Sequence, residues 1–412
     1  MDFLRTTHVP RVGFIMEQTL GHVTYTQNLQ AAFASNERLA PVWMPVPFPA
    51  HGLLDRVPAV TANWAVRGSL RAYAALRSCG GARRFDALVF HTSTVSLAAP
   101  LAARTTPVIL SLDATPVNFD RVGTHYGHRA RLGSGAERVK QAIWRHVLHS
   151  AAGLTTWSQW AKDSLRDDYG IDPERVTVVA PGVDLALFAF GARPRPSIDD
   201  RKVRILFVGG DFERKGGALL LACMRAGLAE RCELYVVTRD PVPAAPKVHV
   251  YHDLGPNDPR LLALYRDVDI FALPTYADCL AVVLAEAMAA GLPVVTTTVG
   301  AQPEAVQHGR CGIIVPPGDE VALGRALSRL ADDPLLRQAL GREGRATAEA
   351  RFDARANAAR LANVVDQGIE RWRRTRVLGP RRPAAVSRSR RARPVDPDFE
   401  RCEFHAAGVP RG

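Results

Sequence analysis

Short runs of apolar and β-branched residues alternate with helical stretches along this 412-residue chain, and this alternation limits its possible folds more than any other feature. It is typical of parallel β-sheets whose consecutive strands are joined by crossover helices. The pattern predicts six strands in the first half, at residues 12–16, 42–45, 87–90, 108–112, 153–157 and 176–179. It predicts six more in the second half, at residues 204–208, 233–238, 247–251, 269–273, 293–297 and 312–315.

The two halves are separated by a segment in which Pro194 and Pro196 interrupt any regular pattern. We therefore predict an α/β protein with two doubly wound, Rossmann-like domains. Ligands of such sheets bind beyond the carboxyl ends of the strands, so two facing domains would form a central cleft. The predicted order is a first domain at residues 1–190, a linker at 191–202, a second domain at 203–350, closing helices at 351–375 and a disordered basic tail at 376–412.

The net charge of +12 raises the question of a nucleic-acid partner. Most of this charge lies in residues 371–412, where twelve arginines face four acidic residues in a proline-rich segment that cannot build a core. The remaining body is therefore close to neutral. A nucleic-acid-binding protein would explain the tail, but the body lacks interleaved aromatic and basic residues and a helix-turn-helix pattern. We expect no nucleic-acid partner.

A second basic segment runs over residues 121–149. Within it, apolar residues recur at helical spacing, which predicts a helix. One interpretation is a surface helix with one buried apolar stripe and a solvated basic face. The other is a helix that contacts anionic lipid headgroups, to which each basic residue adds about 1 kcal/mol. The apolar residues concerned are Val139, Ile143, Val147 and Leu148, with Trp144 beside them.

Several patterns bear on location and metals. The first eleven residues hold no apolar block like a secretion signal, and no run of about 18 apolar residues follows. The six cysteines form no closely spaced pairs, and His125 and His128 lack a carboxylate partner. We expect a cytoplasmic protein, with peripheral contact to the inner membrane face through residues 121–149 and the tail, and we expect no metal site.

The strongest local motif is the turn after the predicted strand 204–208. A strand that leads into glycines and then a helix exposes backbone N–H groups beside the positive end of the helix dipole. Two cations follow the glycines, so the turn suits a diphosphate. It has neither the Walker spacing nor the Gly-x-Gly-x-x-Gly spacing. An ordinary tight turn with solvated cations is the alternative. The residues are Gly209, Gly210, Arg214 and Lys215.

A second motif follows the predicted strand 269–273, where a loop with Asp278 leads into an alanine-rich helix with Glu286. Burying Glu286 without a polar partner would be costly. A ribose is a suitable partner, because a carboxylate accepts hydrogen bonds from both of its hydroxyls. The alternative is that Asp278 caps the helix and Glu286 lies at the surface.

These carboxylates, with seven residues between them, resemble the Glu-x7-Glu element of the retaining glycosyltransferases of family 4. The sequence on both sides of them supports the resemblance. It includes Pro274-Thr-Tyr-Ala, Glu286-Ala-Met-Ala-Ala-Gly291-Leu-Pro293, Gly300-Ala-Gln-Pro-Glu304, Gly309-Arg-Cys-Gly312 and, upstream, Pro181-Gly182-Val183-Asp184. The resemblance covers nearly all of the chain before the tail, and it implies the two-domain GT-B fold.

The resemblance also implies a reaction and its residues. A hexosyl unit would pass from a nucleotide-sugar donor to a hydroxyl of a glycan, lipid-linked or small-molecule acceptor, with retention at the anomeric carbon and without a metal or other cofactor. Glu286 would bind the donor ribose and Asp278 the transferred sugar. The diphosphate would be bound by Gly209, Gly210, Arg214 and Lys215, with Gly21 in the glycine loop after the first strand.

Some residues depart from the family pattern. Asp278 stands where the family usually has Glu, and Gly210 where it usually has Arg. Many relatives also place a histidine after the strand that here ends before Asp113. His91 follows the preceding strand, so His91 and Asp113 are both candidate catalytic residues. A catalytically impaired GT-B protein that only binds nucleotide sugars is the alternative function.

Overall fold

The computed structural model describes residues 8–19, 21–48, 63–123, 134–190 and 202–377. Three predicted segments lie wholly or partly outside the described residues. They are most of the linker (191–201), part of the second basic segment (124–133, with His125 and His128) and nearly all of the tail (378–412). By their contacts, the described residues divide into a first unit that ends at residue 373 and a second that begins at residue 374. Both β-sheets belong to the first unit.

The first sheet contains six parallel strands in the order β2-β1-β3-β4-β5-β6. The central strands β3 and β4 are buried along their whole length, as expected where helices cover both faces of a parallel sheet. β2 lies at an edge and is more exposed. The strands are β1 (Arg11–Gln18), β2 (Ala40–Pro47), β3 (Ala87–His91), β4 (Val108–Leu112), β5 (Gly153–Thr156) and β6 (Val176–Val178).

The second sheet also contains six parallel strands, in the order β12-β11-β10-β7-β8-β9. In both sheets the strand order reverses at one point, between β1 and β3 in the first and between β7 and β10 in the second. All twelve predicted strands are confirmed, with end points shifted by at most two residues. The strands are β7 (Val203–Val208), β8 (Cys232–Val237), β9 (Val248–Tyr251), β10 (Ile270–Leu273), β11 (Val294–Thr297) and β12 (Gly312–Val315).

Thirteen α-helices are described, most of them crossovers between consecutive strands. None of the described helices is both long and apolar enough to cross a membrane. The helices of the first half are α1 (Gly21–Ala34), α2 (Trp64–Ser78), α3 (Ala99–Ala103), α4 (Pro116–Val122), α5 (Ser134–Ser150) and α6 (Gln159–Asp167). Those of the second half are α7 (Gly217–Arg225), α8 (Pro259–Asp267), α9 (Val282–Ala289), α10 (Gln302–Ala305), α11 (Glu320–Asp332), α12 (Pro334–Arg351) and α13 (Ala354–Val377).

After the second sheet, the chain returns to the first half at residues 352–354, which pair with Val183. The Val183 N–H donates to the Phe352 carbonyl over 2.7 Å, and the Ala354 N–H donates to the Val183 carbonyl over 3.0 Å. A Cβ added at Gly182 would lie 2.3 Å from the Cα of Ala354, so only glycine permits this approach. The motif Pro181-Gly182 therefore marks the place where the two halves are joined.

The predicted closing helix is present as α13, which packs on the first sheet. The Arg371 guanidinium donates to the Ala152 carbonyl over 2.6 Å, and the Trp372 indole donates to the Ala103 carbonyl over 3.2 Å. The Cβ of a residue at Gly153 would touch Val364 of this helix. α13 therefore ties the end of the second half to the first.

Helix α5 corrects one detail of the sequence analysis. Trp144, Val147 and Leu148 form its buried stripe, as predicted. Val139 and Ile143 do not belong to that stripe, because they are 59% and 49% exposed. At 100° per residue, Val139 and Ile143 lie to one side of the face formed by Trp144, Val147 and Leu148, so these five residues do not form one stripe. Its solvent face therefore combines apolar side chains with exposed Arg138 and Arg145.

Candidate active site

Most of the predicted site residues lie near the places where the strand order of each sheet reverses. Asp113, which follows β4, lies one strand further along the first sheet. The glycine loop follows β1, and His91 ends β3, the neighbouring strand of the first sheet. Gly209 follows β7, and the Asp278 loop follows β10, the neighbouring strand of the second sheet. Ligands of doubly wound sheets bind beyond the carboxyl ends of the strands at such reversal points. The topology agrees with a binding role for both groups of residues, and that role stays a prediction.

The two glycines of the turn after β7 differ in how accessible their backbone is. The Gly209 N–H donates to the Val237 carbonyl over 2.9 Å, so it is already used within the sheet. This corrects the expectation that the N–H groups of Gly209 and Gly210 both point at a ligand. Gly210 is exposed, and an added Cβ would meet nothing within 4 Å. Gly210 is therefore where a ligand can approach the backbone.

Gly216 was not singled out from the sequence, yet this turn depends on it. Its φ is +83°, and an added Cβ would lie 2.1 Å from the Pro274 carbonyl oxygen. Only glycine tolerates both conditions without strain. Gly216 immediately precedes α7, so it brings the start of that helix against the segment after β10.

Arg214 is turned away from solvent and holds the two loops together. Its guanidinium donates to Asp211 Oδ2 over 2.9 Å and to the Ala277 carbonyl over 2.7 Å. Its own carbonyl accepts the N–H of Tyr276 over 2.9 Å. The side chain is only 3% exposed. In this arrangement Arg214 positions the loop, and its direct contact with a diphosphate stays a prediction.

Lys215 forms an ion pair with Asp278. The pair joins the turn after β7 to the loop after β10, and the two side chains are 14% and 11% exposed. The alternative that Asp278 caps the following helix is wrong, because Ala281 is the N-cap residue of α9. Asp278 instead places a negative charge beside the cation predicted to bind the diphosphate.

Glu286 is buried in α9, so the alternative of a surface glutamate is also wrong. The Tyr265 hydroxyl donates to Glu286 Oε2 over 2.7 Å, which confirms that this carboxyl has a polar partner. Burial raises the pKa of Glu286 to about 7, and the Tyr265 hydrogen bond opposes this shift. Burial and the Glu286 charge raise the pKa of Tyr265 well above its ordinary value. One carboxylate oxygen is therefore already engaged.

The other half of the site is a histidine pair at the edge of the first sheet. Nδ1 of His22 lies 3.1 Å from Nε2 of His91, and Nδ1 of His91 lies 3.2 Å from Oγ of Ser111. The rings of Tyr25 and Trp157 enclose His91, with centroids 4.6 Å and 5.3 Å away. Burial and the neighbouring His22 lower the pKa of His91 well below its ordinary value. His91 is therefore neutral at physiological pH.

Asp113 and His22 are the more accessible members of this group. Nε2 of His22 lies 3.7 Å from Oδ2 of Asp113, and each side chain is 15% exposed, whereas His91 has no exposed surface. Burial raises the pKa of the Asp113 carboxyl above its ordinary value. The neighbouring His22 opposes this shift, and Glu17 adds to it. The Glu17 carboxylate accepts hydrogen bonds from Thr19 and Thr92. Two carboxylates therefore lie at this edge beside one accessible imidazole.

Residues of the two halves meet at this point. A Cβ added at Gly21 would lie 3.7 Å from Val282 at the start of α9. Burial and the nearby charges of Asp113 and Asp278 raise the pKa of the Cys279 thiol well above its ordinary value. The structure thus brings Gly21 and Asp113 of the first half close to the Asp278 loop of the second.

The sequence analysis did not assign roles to His22, Tyr265 or Cys279. His22 had a usable signal, because it directly follows Gly21 in the glycine loop. Tyr265 and Cys279 had none, since each acquires its partner only when distant segments pack together. Among the described residues, no group of three or more His, Cys, Asp or Glu side chains is arranged to hold a metal ion.

Comparisons with known proteins place the chain in a family. Residues 25–187 match the model "Glycosyltransferase Family 4", and residues 202–333 match "Glycosyl transferases group 1". A D-inositol 3-phosphate glycosyltransferase of Thermobispora bispora is 34% identical over 239 residues, which are 51% of this chain and 55% of the relative. An MMP alpha-(1->4)-mannosyltransferase of Mycolicibacterium hassiacum is 30% identical over 238 residues, 55% of this chain and 57% of the relative. The chain thus spans just over half the length of the curated relatives it matches.

Solved structures agree on the fold. Sucrose-phosphate synthase from Thermosynechococcus elongatus superposes with a TM-score of 0.68 at 18% identity, covering 87% of this chain and 98% of that one. Anabaena HepE in complex with UDP-glucose superposes with a TM-score of 0.60 at 15% identity, covering 87% and 99%. Two six-stranded parallel sheets with these family matches establish that the chain belongs to the family 4 glycosyltransferases and has the GT-B fold.

Proposed function

We propose that this protein transfers a hexosyl unit from a nucleotide sugar to an acceptor hydroxyl, with retention at the anomeric carbon and without a metal. One observation carries the proposal. The Lys215–Asp278 ion pair lies at the strand-order reversal of the second sheet. It connects the turn that contains the exposed Gly210 to the loop before α9, the helix in which Glu286 is buried. This arrangement offers a cation, an approachable backbone and a carboxylate to the diphosphate and ribose of one donor.

The relatives support the class of reaction. Both curated relatives are named for the transfer of a sugar, and the structure of HepE was solved with UDP-glucose. A UDP-linked hexose is therefore the first donor to test, followed by GDP- and ADP-linked sugars.

The proposed reaction breaks the bond between the anomeric carbon and the diphosphate oxygen. The acceptor oxygen bonds to the same face of that carbon, and its proton passes to an oxygen of the departing diphosphate. The difficulty is the negative charge of the leaving group. Lys215, the Gly210 backbone and the positive end of α7 are the groups that would stabilise it. Lys215 can do so without leaving Asp278, because an ammonium has three N–H donors.

The ribose site is the second element. The Tyr265 hydroxyl uses one oxygen of Glu286, but a carboxylate can accept about four hydrogen bonds through its two oxygens. We propose that the ribose hydroxyls donate to the same carboxylate. Tyr265 would then hold Glu286 in position before the donor arrives.

Thermal-shift screening of the UDP-, GDP- and ADP-linked sugars tests donor binding, since a ligand of the folded form raises the Tm. Turnover of the bound donor is then followed in the presence of EDTA, and the anomeric configuration of the product is read by NMR. Retention and full activity in EDTA are expected. An inverted product, or activity lost in EDTA and restored by a divalent ion, would overturn the corresponding part of the proposal.

A second function is favoured by a specific observation. Asp278 and Glu286 both have partners from the chain itself, Lys215 and Tyr265. A catalytically impaired protein that binds nucleotide sugars without turning them over would tolerate this arrangement. Donor binding without transfer to acceptors or hydrolysis would establish this alternative.

We also propose peripheral contact with the cytoplasmic membrane face through helix α5. Val139 and Ile143 are exposed, and Arg138 and Arg145 lie on the same helix. Apolar side chains flanked by basic ones bind anionic interfaces by burial and by charge. Flotation with vesicles of anionic lipid is expected to carry the wild type, while Val139→Glu with Ile143→Glu releases it. Equal flotation of both proteins would contradict the proposal.

A further inference from the structure

We propose that His22 and Asp113 together bind a free hydroxyl of the acceptor, next to the hydroxyl that attacks, and that this pair selects acceptors without a phosphate at that position. The inference rests on the proposed function, because it concerns the acceptor of that reaction. It adds a residue, His22, and a chemical class of acceptor.

The distance between the two side chains is the first argument. Nε2 of His22 and Oδ2 of Asp113 are 3.7 Å apart, which is too long for a direct hydrogen bond. One oxygen atom placed about 2.8 Å from each would close the gap with two normal hydrogen bonds. A hydroxyl suits this position, because it can accept from the imidazole N–H and donate to the carboxylate.

Accessibility is the second argument. His22 and Asp113 are each 15% exposed, whereas His91 behind them is fully buried. His91 is neutral and bonded to both Ser111 and His22, so it fixes the orientation of the His22 ring. His91 therefore acts as a positioning residue, and His22 is the imidazole that substrate can touch.

The position of the pair is the third argument. Asp113 lies close to Cys279, which directly follows Asp278 in the loop predicted to contact the donor sugar. Gly21, next to His22, lies against the first residue of α9. A group held between His22 and Asp113 would therefore sit beside the transferred sugar, where an acceptor must bind.

Charge gives the specificity. Asp113 and Glu17 influence each other electrostatically, and the Glu17 carboxylate is held in place by two threonine hydroxyls. A phosphate brought to this point would meet two acidic side chains, and like charges placed together are unfavourable. A neutral polyol meets no such repulsion.

The experiment uses the nucleotide sugar that the thermal-shift screen identifies as the donor, with two sets of acceptors and a measurement of donor hydrolysis without acceptor. The neutral set is myo-inositol, methyl glucoside and methyl mannoside, and the phosphorylated set is D-inositol 3-phosphate and glucose 6-phosphate. The wild type is expected to use a neutral acceptor at least tenfold better. His22→Gln should raise the KM for that acceptor about tenfold, the effect of one lost hydrogen bond, and this change should exceed any change in the KM for the donor. His249→Gln, an exposed histidine on β9, is the matched control.

Asp113→Asn is the second variant, because it keeps the shape of the side chain and removes its charge. It should lower kcat/KM for the neutral acceptor and reduce the preference over the phosphorylated one by about tenfold. Normal donor hydrolysis with an unchanged acceptor KM in His22→Gln would overturn the inference and leave the proposed function intact. A wild type that hydrolyses the donor but uses no neutral acceptor would also overturn it. If none of the UDP-, GDP- and ADP-linked sugars binds or is hydrolysed, the proposed function itself is refuted.

Discussion

Lys215 and Asp278 form an ion pair that connects the turn after β7 to the loop after β10, with both side chains largely shielded from solvent. The pair fixes the cation before a donor binds, so little side-chain entropy is lost when a diphosphate arrives.

Replacing Lys215 by Ala should reduce transfer about 100-fold or more, the usual effect of removing one group that stabilises transition-state charge. Steady-state kinetics with the best donor from the thermal-shift screen measure this. Lys247→Ala, at an exposed lysine of the same half, is the matched control and should retain full activity. Near-normal turnover in Lys215→Ala would contradict the assignment of Lys215 to the diphosphate.

The Lys215–Asp278 ion pair should also contribute a measurable coupling energy to the folding stability. Removing Lys215 alone leaves the shielded Asp278 carboxylate without its cation, which should cost about 1–3 kcal/mol. Adding Asp278→Asn should recover part of that loss, because no unpaired charge remains. Urea unfolding of the two single variants and the double variant measures the coupling energy. Strict additivity would show that the pair contributes nothing to folding.

Much of the fold could be predicted from the sequence because parallel strands buried on both faces leave an unmistakable apolar pattern. β4 and β12, at Val108–Leu112 and Gly312–Val315, were predicted to the residue. The need for a polar partner of Glu286 was also predicted, since a carboxylate in an apolar helix requires one, although the candidate named was a ribose. That Tyr265 is this partner depends on how α8 packs against α9, which the spacing of residues does not encode.

The part of the candidate site that lies on the first sheet was predicted less well. Asp113 and His91 were identified because each follows a strand, and such residues share one edge of the sheet. Their relation to His22 was not predictable, because it depends on which way the first turn of α1 faces. The use of the Gly209 N–H by Val237 was missed because the hydrogen bonds between β7 and β8 continue one residue beyond the end of β7. The sequence shows at which edge of the sheet a residue lies, whereas its contacts depend on how distant segments pack together.

Cys279 should react slowly with thiol reagents. Burial and the charges of Asp113 and Asp278 raise the pKa of its thiol well above the ordinary value, and the thiolate is the reactive form. Cys79, which is only partly buried, should be alkylated at least about tenfold faster. Mass spectrometry of peptides after timed iodoacetamide treatment at pH 7.5 measures both rates. Rapid labelling of Cys279 would show that the two halves separate readily.

Glu304 of α10 binds the start of α6 in the other half of the molecule. Its two carboxylate oxygens accept the N–H groups of Gln159 and Trp160 over 2.7 Å and 2.6 Å. A carboxylate at a helix N-terminus is favoured by the helix dipole. Glu304→Gln should therefore lower stability by about 0.5–1 kcal/mol and Glu304→Ala by about 1–2 kcal/mol, measured by urea unfolding. Glu343→Gln, at an exposed surface pair, should have little effect. An equal effect of Glu304→Ala and Glu343→Gln would contradict the role of Glu304.

Glu286 should make folding stability depend on pH. Burial raises its pKa in the folded protein from 4.5 to about 7, so the folded state binds this proton more tightly than the unfolded chain. The stabilisation is complete below about pH 4.5 and is lost as the pH rises through about 7, over a range of up to about 3 kcal/mol. Glu286→Gln has no proton to lose, so the stability of the wild type relative to this variant should fall between pH 4.5 and 8. Urea unfolding at a series of pH values measures the difference. A difference that stays constant, or that grows with pH, would show that the carboxyl of Glu286 is ionised in the folded protein throughout.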